Sequence, residues 1–253
     1  MTLLSVEALS KEFGGVHAVE DLSFAIHPGT IHSIIGPNGA GKTTLFNLIT
    51  GIYTPTSGRI RLDDKDIAGR RPCELAALGM SRTFQNLQVF FNMTAVENVM
   101  VGHHLHLDRG LLASLLRLPA MVKRDRACRA HAVELLEFVG LSRYVNADAA
   151  SMPYGALKRL EIARALAAKP RLLLLDEPAA GLNATESREI DEVIKKVAAS
   201  GVTVVLVEHD MKMVMGISDH ILVLNYGRKL AEGTPAEVRA NPEVVAAYLG
   251  GQG

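Results

Sequence analysis

The chain contains little that would hold a small extracellular domain together. Among its 253 residues there are only two cysteines, Cys73 and Cys128, which lie far apart in the sequence. Two isolated cysteines argue against a disulfide framework or a zinc site, and they favour a reducing compartment such as the cytosol. An excess of either charge is also absent, because 27 basic residues balance 27 acidic ones. We therefore expect no nucleic-acid partner.

Long hydrophobic runs are missing as well. The longest apolar segment outside the strand-like runs, residues 111–122, is interrupted by Arg117 and Pro119. It falls short of the roughly 20 residues that span a bilayer. The first residues carry Glu7 and Lys11 and show no apolar core of a signal peptide. A role at a membrane would therefore require another subunit.

The predicted elements change in type along the chain. Near the start, short β-like runs surround a glycine-rich loop, at residues 3–9, 22–26 and 58–62. Helical periodicity follows from Ala95 to about Leu166. Apolar runs then alternate with helix-like segments such as 185–200, and these runs are 172–175, 202–207 and 221–224. The alternation predicts an α/β fold, in which crossover helices cover a parallel sheet and the helical middle is an insertion.

The glycine-rich loop follows the apolar run that ends at Ile35. Such glycines let successive backbone N–H groups turn toward an oxyanion, the lysine reaches the β- and γ-phosphates of a nucleotide, and a threonine hydroxyl can ligate Mg²⁺. The dipole of the following helix adds positive potential. The alternative is an ordinary glycine-rich turn with an exposed lysine. The residues expected to bind phosphate are Gly36, Pro37, Asn38, Gly39, Ala40, Gly41, Lys42, Thr43 and Thr44.

Two carboxylates, Asp176 and Glu177, follow the fully apolar run 172–175. The carboxyl ends of such strands are where α/β sheets place their ligands. We expect Asp176 to hold Mg²⁺ and Glu177 to orient or deprotonate the water that attacks the γ-phosphate. The alternative is that this acidic strand end caps the next helix.

Two further polar residues stand where ordered segments meet. His209 follows the apolar run 202–207, and its imidazole could donate a hydrogen bond to a γ-phosphate. Gln85 lies where the β-rich start gives way to the helical middle, and its amide could contact a metal ion or water. Each residue by itself is also compatible with a structural role, so both assignments depend on the other motifs.

In their order along the chain, the glycine-rich loop, Gln85, the helical middle, the Asp176–Glu177 pair and His209 resemble the motifs of an ATP-binding-cassette (ABC) ATPase over nearly the whole chain. The resemblance implies one cassette domain, residues 1–253, with ATP and Mg²⁺ as cofactors. Its P-loop NTPase (RecA-like) core, with an antiparallel β subdomain, would comprise residues 1–87 and 162–253. An inserted all-α subdomain would comprise residues 88–161. The implied catalytic residues are Glu177, His209 and Gln85, and the implied metal ligands are Thr43, Gln85 and Asp176.

The resemblance also implies that Phe13 stacks on adenine, for which core packing is the alternative. In this family a signature motif completes the nucleotide site of a second subunit, so this chain would form half of each site in a homo- or heterodimer. The usual motif reads Leu-Ser-Gly-Gly-Gln, whereas residues 152–156 read Met-Pro-Tyr-Gly-Ala. Pro153 lacks the serine hydroxyl and the backbone N–H. Tyr154 and Gly155 would remain to contact the partner's nucleotide.

This Tyr-Gly variant is similar to that of one branch of the family, the importer ATPases for branched-chain amino acids. Segments 82–85, 93–98, 177–183 and 233–250 look like this branch as well. The branch implies a peripheral subunit at the cytoplasmic face of the cell membrane, with integral membrane permeases as partners and, indirectly, a substrate-binding protein. A groove near Gln85 would receive a cytoplasmic permease helix. Import of urea or another amide, lipid export and a nucleotide-sensing module without hydrolysis are the alternatives.

A histidine-rich stretch opens the helical middle. It contains His103, His104, His106 and Asp108, a set that raises the question of a metal site. No apolar strand precedes these residues to organise them. We therefore interpret them as solvated loop residues.

Overall fold

The computed structural model describes residues 2–103 and 119–249. The strands are β1 (Leu4–Phe13), β2 (Val16–Ile26), β3 (Ile31–Ile35), β4 (Ser57–Leu62), β5 (Lys65–Asp66), β6 (Met80–Arg82), β7 (Leu172–Asp176), β8 (Thr203–Val207), β9 (His220–Asn225) and β10 (Arg228–Gly233). The helices are α1 (Lys42–Ile49), α2 (Pro72–Ala77), α3 (Ala95–Gly102), α4 (Pro119–Phe138), α5 (Tyr154–Ala167), α6 (Ala184–Ala199), α7 (Met211–Ile217), α8 (Pro235–Ala240) and α9 (Pro242–Leu249).

The larger sheet has the strand order β10-β9-β3-β8-β7-β6. Its five strands from β9 to β6 run parallel, and β10 pairs with β9 in the antiparallel direction. Every residue of β3, β7 and β8 is buried, which explains their almost continuous apolar sequences. The predicted α/β class with a parallel sheet is confirmed.

The smaller sheet is antiparallel and has the order β2-β1-β4-β5. Helix α1 lies between the two sheets, and its Leu45, Phe46, Leu48 and Ile49 belong to a core formed with β1, β2, β4, β7 and β8. The antiparallel β subdomain is thereby confirmed. Strands β1 and β2 are longer than the predicted runs 3–9 and 22–26, because their pairing continues through polar residues to the turn at Gly14 and Gly15.

The helical middle packs on the opposite face of the larger sheet. Its α3, α4 and α5 share a core with α6 and with β7 and β8. Helix α3 begins at a capping box, in which Thr94 and Glu97 bond each other's backbone N–H. The predicted border between residues 161 and 162 falls inside α5, so the exact division into subdomains stays a prediction.

Within residues 2–103 and 119–249, no helix combines the length and the apolar character needed to cross a membrane. Most of the predicted apolar segment 111–122 lies outside the described residues.

Candidate nucleotide-binding site

The glycine-rich loop leaves the buried strand β3 and enters α1. Gly36, Gly39 and Gly41 have φ values of 155°, 80° and 98°, which glycine adopts without steric cost. A Cβ on Gly36 would lie 2.2 Å from the carbonyl oxygen of Leu224, and one on Gly41 would lie 2.4 Å from that of Ala18. Strands β9 and β2 therefore approach the loop so closely that a side chain at either position would clash.

Lys42 is held over this loop. Its Nζ donates to the carbonyl oxygens of Gly36 at 2.7 Å and Pro37 at 3.0 Å. Burial lowers the pKa of Lys42, and the negative charge of Glu177 opposes this lowering. Phosphate oxygens can replace the two carbonyls as acceptors and form stronger, charge-assisted bonds. The loop and its lysine therefore fit the phosphates of a nucleotide.

Adjacent parallel strands bring the other predicted polar residues to the same edge of the larger sheet. Strand β6 leads to Gln85, β7 ends at Asp176, and β8 leads to His209. The carboxyl end of β3, where the glycine-rich loop begins, belongs to the same edge. The topology thus gathers four sequence motifs that lie far apart in the chain.

Asp176 is buried at the end of β7 and is paired with a cation. Its Oδ2 accepts a hydrogen bond from Arg82 Nη2 at 2.8 Å. Arg82 also donates to Asn47 Oδ1 at 2.7 Å and to Thr50 Oγ1 at 2.8 Å, and both residues lie at or next to α1. This arginine therefore connects β6, β7 and the end of α1.

Glu177 adopts a φ of 47°, which is unusual for a residue with a side chain. Its backbone N–H donates to Val207 at 2.9 Å, so the turn is held against β8. Glu177 Oε2 accepts from Gln85 Nε2 at 2.9 Å, and Glu177 Oε1 lies 3.9 Å from His209 Nδ1. The structure thus brings together the three residues predicted to be catalytic. Strained backbone of this kind is common at functional sites.

A fourth polar residue, Glu208, supports this group. It is buried, and its carboxylate accepts the backbone N–H of Ala179 at 2.9 Å and of His209 at 3.1 Å. Burial raises the pKa of Glu208, and these backbone donors oppose the rise. Glu208 therefore ties the loop after β7 to the loop that carries His209.

The two residues of the signature region contact a different part of the chain. The ring of Tyr154 lies against Gly181, where an added Cβ would be 3.3 Å from Tyr154 Cε1. Gly155 is buried, and a Cβ there would lie 2.7 Å from Glu186 Oε1. Tyr154 thus adjoins the segment that leads into α6, and Gly155 adjoins the first turn of α6 itself. Their contact with a partner's nucleotide stays a prediction.

Phe13 lies at the end of β1 with 43% of its surface exposed. Its ring and that of Tyr53 form an edge-to-face pair with centroids 5.2 Å apart, and Lys11 Nζ lies 4.9 Å from the centroid of Phe13. An aromatic ring this exposed is available for stacking, so it differs from an ordinary core residue. Adenine as its ligand stays a prediction.

Comparison with known proteins decides the family. Residues 19–180, more than half of the chain, match the family described as ABC transporter. The chain belongs to the ABC transporter family. Residues 228–253 of this ABC ATPase match the family described as branched-chain amino acid ATP-binding cassette transporter. Over 98% of each chain it is 48% identical to BraF, the high-affinity branched-chain amino acid transport ATP-binding protein of Pseudomonas aeruginosa.

Solved structures agree with this assignment. An ATP-binding cassette of an ABC transporter in its ADP conformation has a TM-score of 0.85 and 33% identity, with 99% of both chains covered. A dimeric cassette in a post-hydrolysis state bound to ADP and phosphate has a TM-score of 0.76 and 26% identity, with 92% of this chain and 98% of that chain covered. The P-loop NTPase fold and ATP as the ligand of this ABC ATPase are thereby confirmed.

The residues predicted to hold Mg²⁺ offer suitable chemistry. Thr43 is exposed beside Lys42. The Thr43 hydroxyl, the Asp176 carboxylate and the Gln85 amide each offer an oxygen donor, the kind of ligand that Mg²⁺ prefers. In the part of the chain that the structure describes, no three His, Cys, Asp or Glu side chains form a cluster that could hold a metal ion by themselves. His104, His106 and Asp108 lie outside that part, and His103 Nδ1 lies 3.1 Å from the Ala167 carbonyl oxygen.

Sequence reasoning assigned no role to several charged residues that support the site. Glu208 was missed, although a carboxylate directly after an apolar strand is the pattern that had identified Asp176. Arg82 begins the segment 82–85, but no local pattern in the sequence connects it with Asp176. Lys158 and Glu161 lie on α5 at a helical spacing of three, which indicates a shared face.

Proposed function

We propose that this ABC ATPase powers the import of branched-chain amino acids through separate membrane permease subunits. The observation that carries the catalytic part is the cluster of Gln85, Glu177 and His209 at the sheet edge that also bears Lys42. The match of residues 228–253 and the similarity to BraF support branched-chain amino acids as the transported substrate.

Each residue of the cluster, and Lys42 at the same edge of the sheet, has a role that its position supports. Lys42 binds the β- and γ-phosphates and offsets their charge. Glu177 accepts a proton from the attacking water, and Gln85, which already donates to Glu177, orients that water. His209 is 65% exposed in its side chain, so its imidazole is free to turn and donate to the γ-phosphate.

Thr43, Asp176 and Gln85 are the residues that would hold Mg²⁺. When bound, the ion would offset charge on the β- and γ-phosphates. Arg82 fixes the carboxylate of Asp176, so this ligand is preorganised before the nucleotide arrives.

Two cassettes are needed for a complete site in this proposal. Tyr154, Gly155 and the N-terminus of α5 would approach the nucleotide that a second ABC ATPase subunit holds, where the helix dipole favours a negative charge. Pro153 is the residue before this helix, so the hydroxyl of the usual motif is missing there. Phe13 would stack on the adenine of the chain's own ATP. Binding of ATP closes the dimer, and hydrolysis releases it.

Membrane permeases would dock beside the Gln85 segment. A cavity of about 550 Å³ there separates the core from the helical middle, and its lining includes Ile52, Phe84, Leu87, Phe90 and Arg164. Such an apolar groove can accept an amphipathic helix from a permease. The ATPase would then be peripheral at the cytoplasmic face of the cell membrane, and a substrate-binding protein would act on it only through the permeases.

Reconstitution tests the proposal. The ATPase would be assembled with its membrane subunits in vesicles, and ATP-driven uptake of leucine, isoleucine and valine would be compared with that of urea. We expect uptake of the branched-chain amino acids together with phosphate release. Uptake of urea alone would contradict the proposal that branched-chain amino acids are the substrate. ATP binding without phosphate release would favour a nucleotide-sensing module, an alternative that the altered signature motif suggests.

A further inference from the structure

Helix α5 carries charged residues on the side that faces the glutamine segment, which we define as residues 84–88. Lys158 and Glu161 are each only 3% exposed, and Arg164 follows at the same spacing of three. Burying a charge is costly unless hydrogen bonds or an opposite charge compensate it. The contacts of these side chains therefore show which interactions compensate the cost of burying their charges.

Both buried residues bind the main chain of the glutamine segment. Lys158 Nζ donates to the carbonyl oxygen of Gln85 at 3.2 Å, and the Gln88 N–H donates to Glu161 Oε1 at 3.3 Å. Burial raises the pKa of Glu161, and the Gln88 N–H, the charge of Lys158 and the Phe84 N–H oppose the rise. The main chain of the glutamine segment is therefore attached to α5 at Gln85 and at Gln88.

The side chain of Gln85 reaches in the other direction. Its Nε2 donates to Glu177 at the end of β7, in the nucleotide-binding core. Gln85 is thus held at two ends, with its backbone on α5 and its amide on the carboxylate expected to act on water. Tyr154, at the first turn of the same helix, lies in the signature region.

We propose that Lys158 and Glu161 are positioning residues that fix the main chain of Gln85 on α5, so that a movement of this helix sets whether the Gln85 amide reaches Glu177. The inference rests on the proposed function, because it takes the catalytic roles of Gln85 and Glu177 from there. The helix that carries the signature and the segment that carries Gln85 then move as one body, and a force applied at the groove reaches both.

Hydrogen–deuterium exchange tests the attachment without any need for activity. Glu161→Gln keeps the size of the side chain, but it removes the negative charge beside Lys158 and leaves one acceptor oxygen in place of two, which weakens the bond from the Gln88 N–H. We expect amide exchange in residues 84–88 to rise at least about fivefold, while β7 keeps its protection. Unchanged exchange in residues 84–88 would overturn the inference, and so would an equal rise in both segments, since that would mean general loosening of the fold.

A double-mutant cycle tests whether the two residues act through Gln85. In the assembled ATPase, we expect Glu161→Gln and Lys158→Met each to lower kcat about tenfold, because catalysis is sensitive to small misplacements, while KM for ATP stays within about twofold. In a Gln85→Ala background, neither change should lower kcat further. Additive losses of kcat, or a loss confined to KM, would overturn the inference.

A matched control and the wild type separate the possible failures. Glu192→Gln removes a carboxylate of the exposed Glu192–Lys195 pair on α6, and it should leave both exchange and kcat unchanged. If the wild type neither binds nor hydrolyses ATP, the proposed function fails, and the exchange experiment still decides whether α5 holds the glutamine segment. If the wild type hydrolyses ATP and the cycle is additive, only the positioning role fails.

Discussion

Arg82 and Asp176 form a buried ion pair between β6 and β7, with Nη2 and Oδ2 2.8 Å apart and side-chain exposures of 9% and 7%. The guanidinium also lies over the rings of Phe46 and Phe84, at 5.5 Å and 5.1 Å from their centroids. It therefore holds the carboxylate expected to bind Mg²⁺ and touches both α1 and the glutamine segment.

Removal of this arginine should destabilise the fold. We expect Arg82→Met to lower the free energy of unfolding by about 3–5 kcal/mol, because Asp176 would remain buried without its cation. Urea unfolding at neutral pH measures the loss. The matched control, Arg61→Met, breaks the exposed pair with Glu7 and should cost less than about 1 kcal/mol. Equal losses of unfolding free energy in the two variants would show that burial of the Arg82–Asp176 pair does not increase its contribution to stability.

Lys42 should be needed for nucleotide binding. A charge-assisted hydrogen bond contributes about 1.5–3 kcal/mol, so Lys42→Ala should weaken ATP binding at least about tenfold. Titration with a fluorescent ATP analogue measures the affinity, and Lys169→Ala serves as a control on another lysine. ATP binding by Lys42→Ala at the affinity of the wild type would contradict the assignment of the loop.

Glu177 should be needed for hydrolysis and not for binding. General base catalysis typically contributes about 100-fold to 10,000-fold, so we expect Glu177→Gln to lower kcat by that range while ATP still binds. The variant should accumulate as an ATP-bound dimer in size-exclusion chromatography, with the second ATPase subunit added if the pair is of unlike chains. A variant that hydrolyses ATP at the rate of the wild type would rule out this base.

Gly41 should not tolerate a side chain. Its φ of 98° and the nearby Ala18 carbonyl oxygen mean that Gly41→Ala strains the loop by about 1–3 kcal/mol and weakens ATP binding. Gly216→Ala is the control, because Gly216 lies inside α7 and an added Cβ meets nothing within 4 Å. That change should stabilise the helix by about 0.5–1 kcal/mol. Normal ATP affinity in Gly41→Ala would show that the loop can rearrange.

His32 should make stability depend on pH. Burial and the neighbouring His220 and His27 lower the pKa of His32 from 6.5 to about 4, although Asp219 opposes them. Its Nε2 accepts the His27 N–H at 3.4 Å, as a neutral ring does. Between about pH 6.5 and pH 4 the unfolded chain binds a proton that the folded chain does not. The free energy of unfolding should therefore decrease as the pH is lowered through that range.

The decrease in the free energy of unfolding that His32 causes should reach about 3 kcal/mol at the lower end of this range, near pH 4. Urea unfolding at several pH values measures it, and His32→Gln should lose less stability on acidification than the wild type. The exposed His17→Gln should behave like the wild type. Parallel pH profiles for all three proteins would exclude His32 as the cause.

The sequence predicted the elements that depend on neighbouring residues. The apolar runs before Gly36, Asp176 and Glu208 indicated buried strands, since a strand covered on both faces has few polar positions. Strand ends were less accurate, as β1 shows by continuing to Phe13. Its last residues are polar or exposed, and only their pairing with β2 makes them part of the sheet.

By itself, the sequence determined the chemistry of the loop at residues 36–44, because glycines and a lysine at this spacing are typical of a phosphate-binding loop and of few other structures. It also determined the order of motifs that identifies an ABC ATPase. Only the tertiary structure decided that Gln85 bonds Glu177, that Arg82 pairs with Asp176, and that Lys158 and Glu161 hold the glutamine segment. Such contacts join residues distant in the chain, and they form only when parallel strands and α5 have packed side by side.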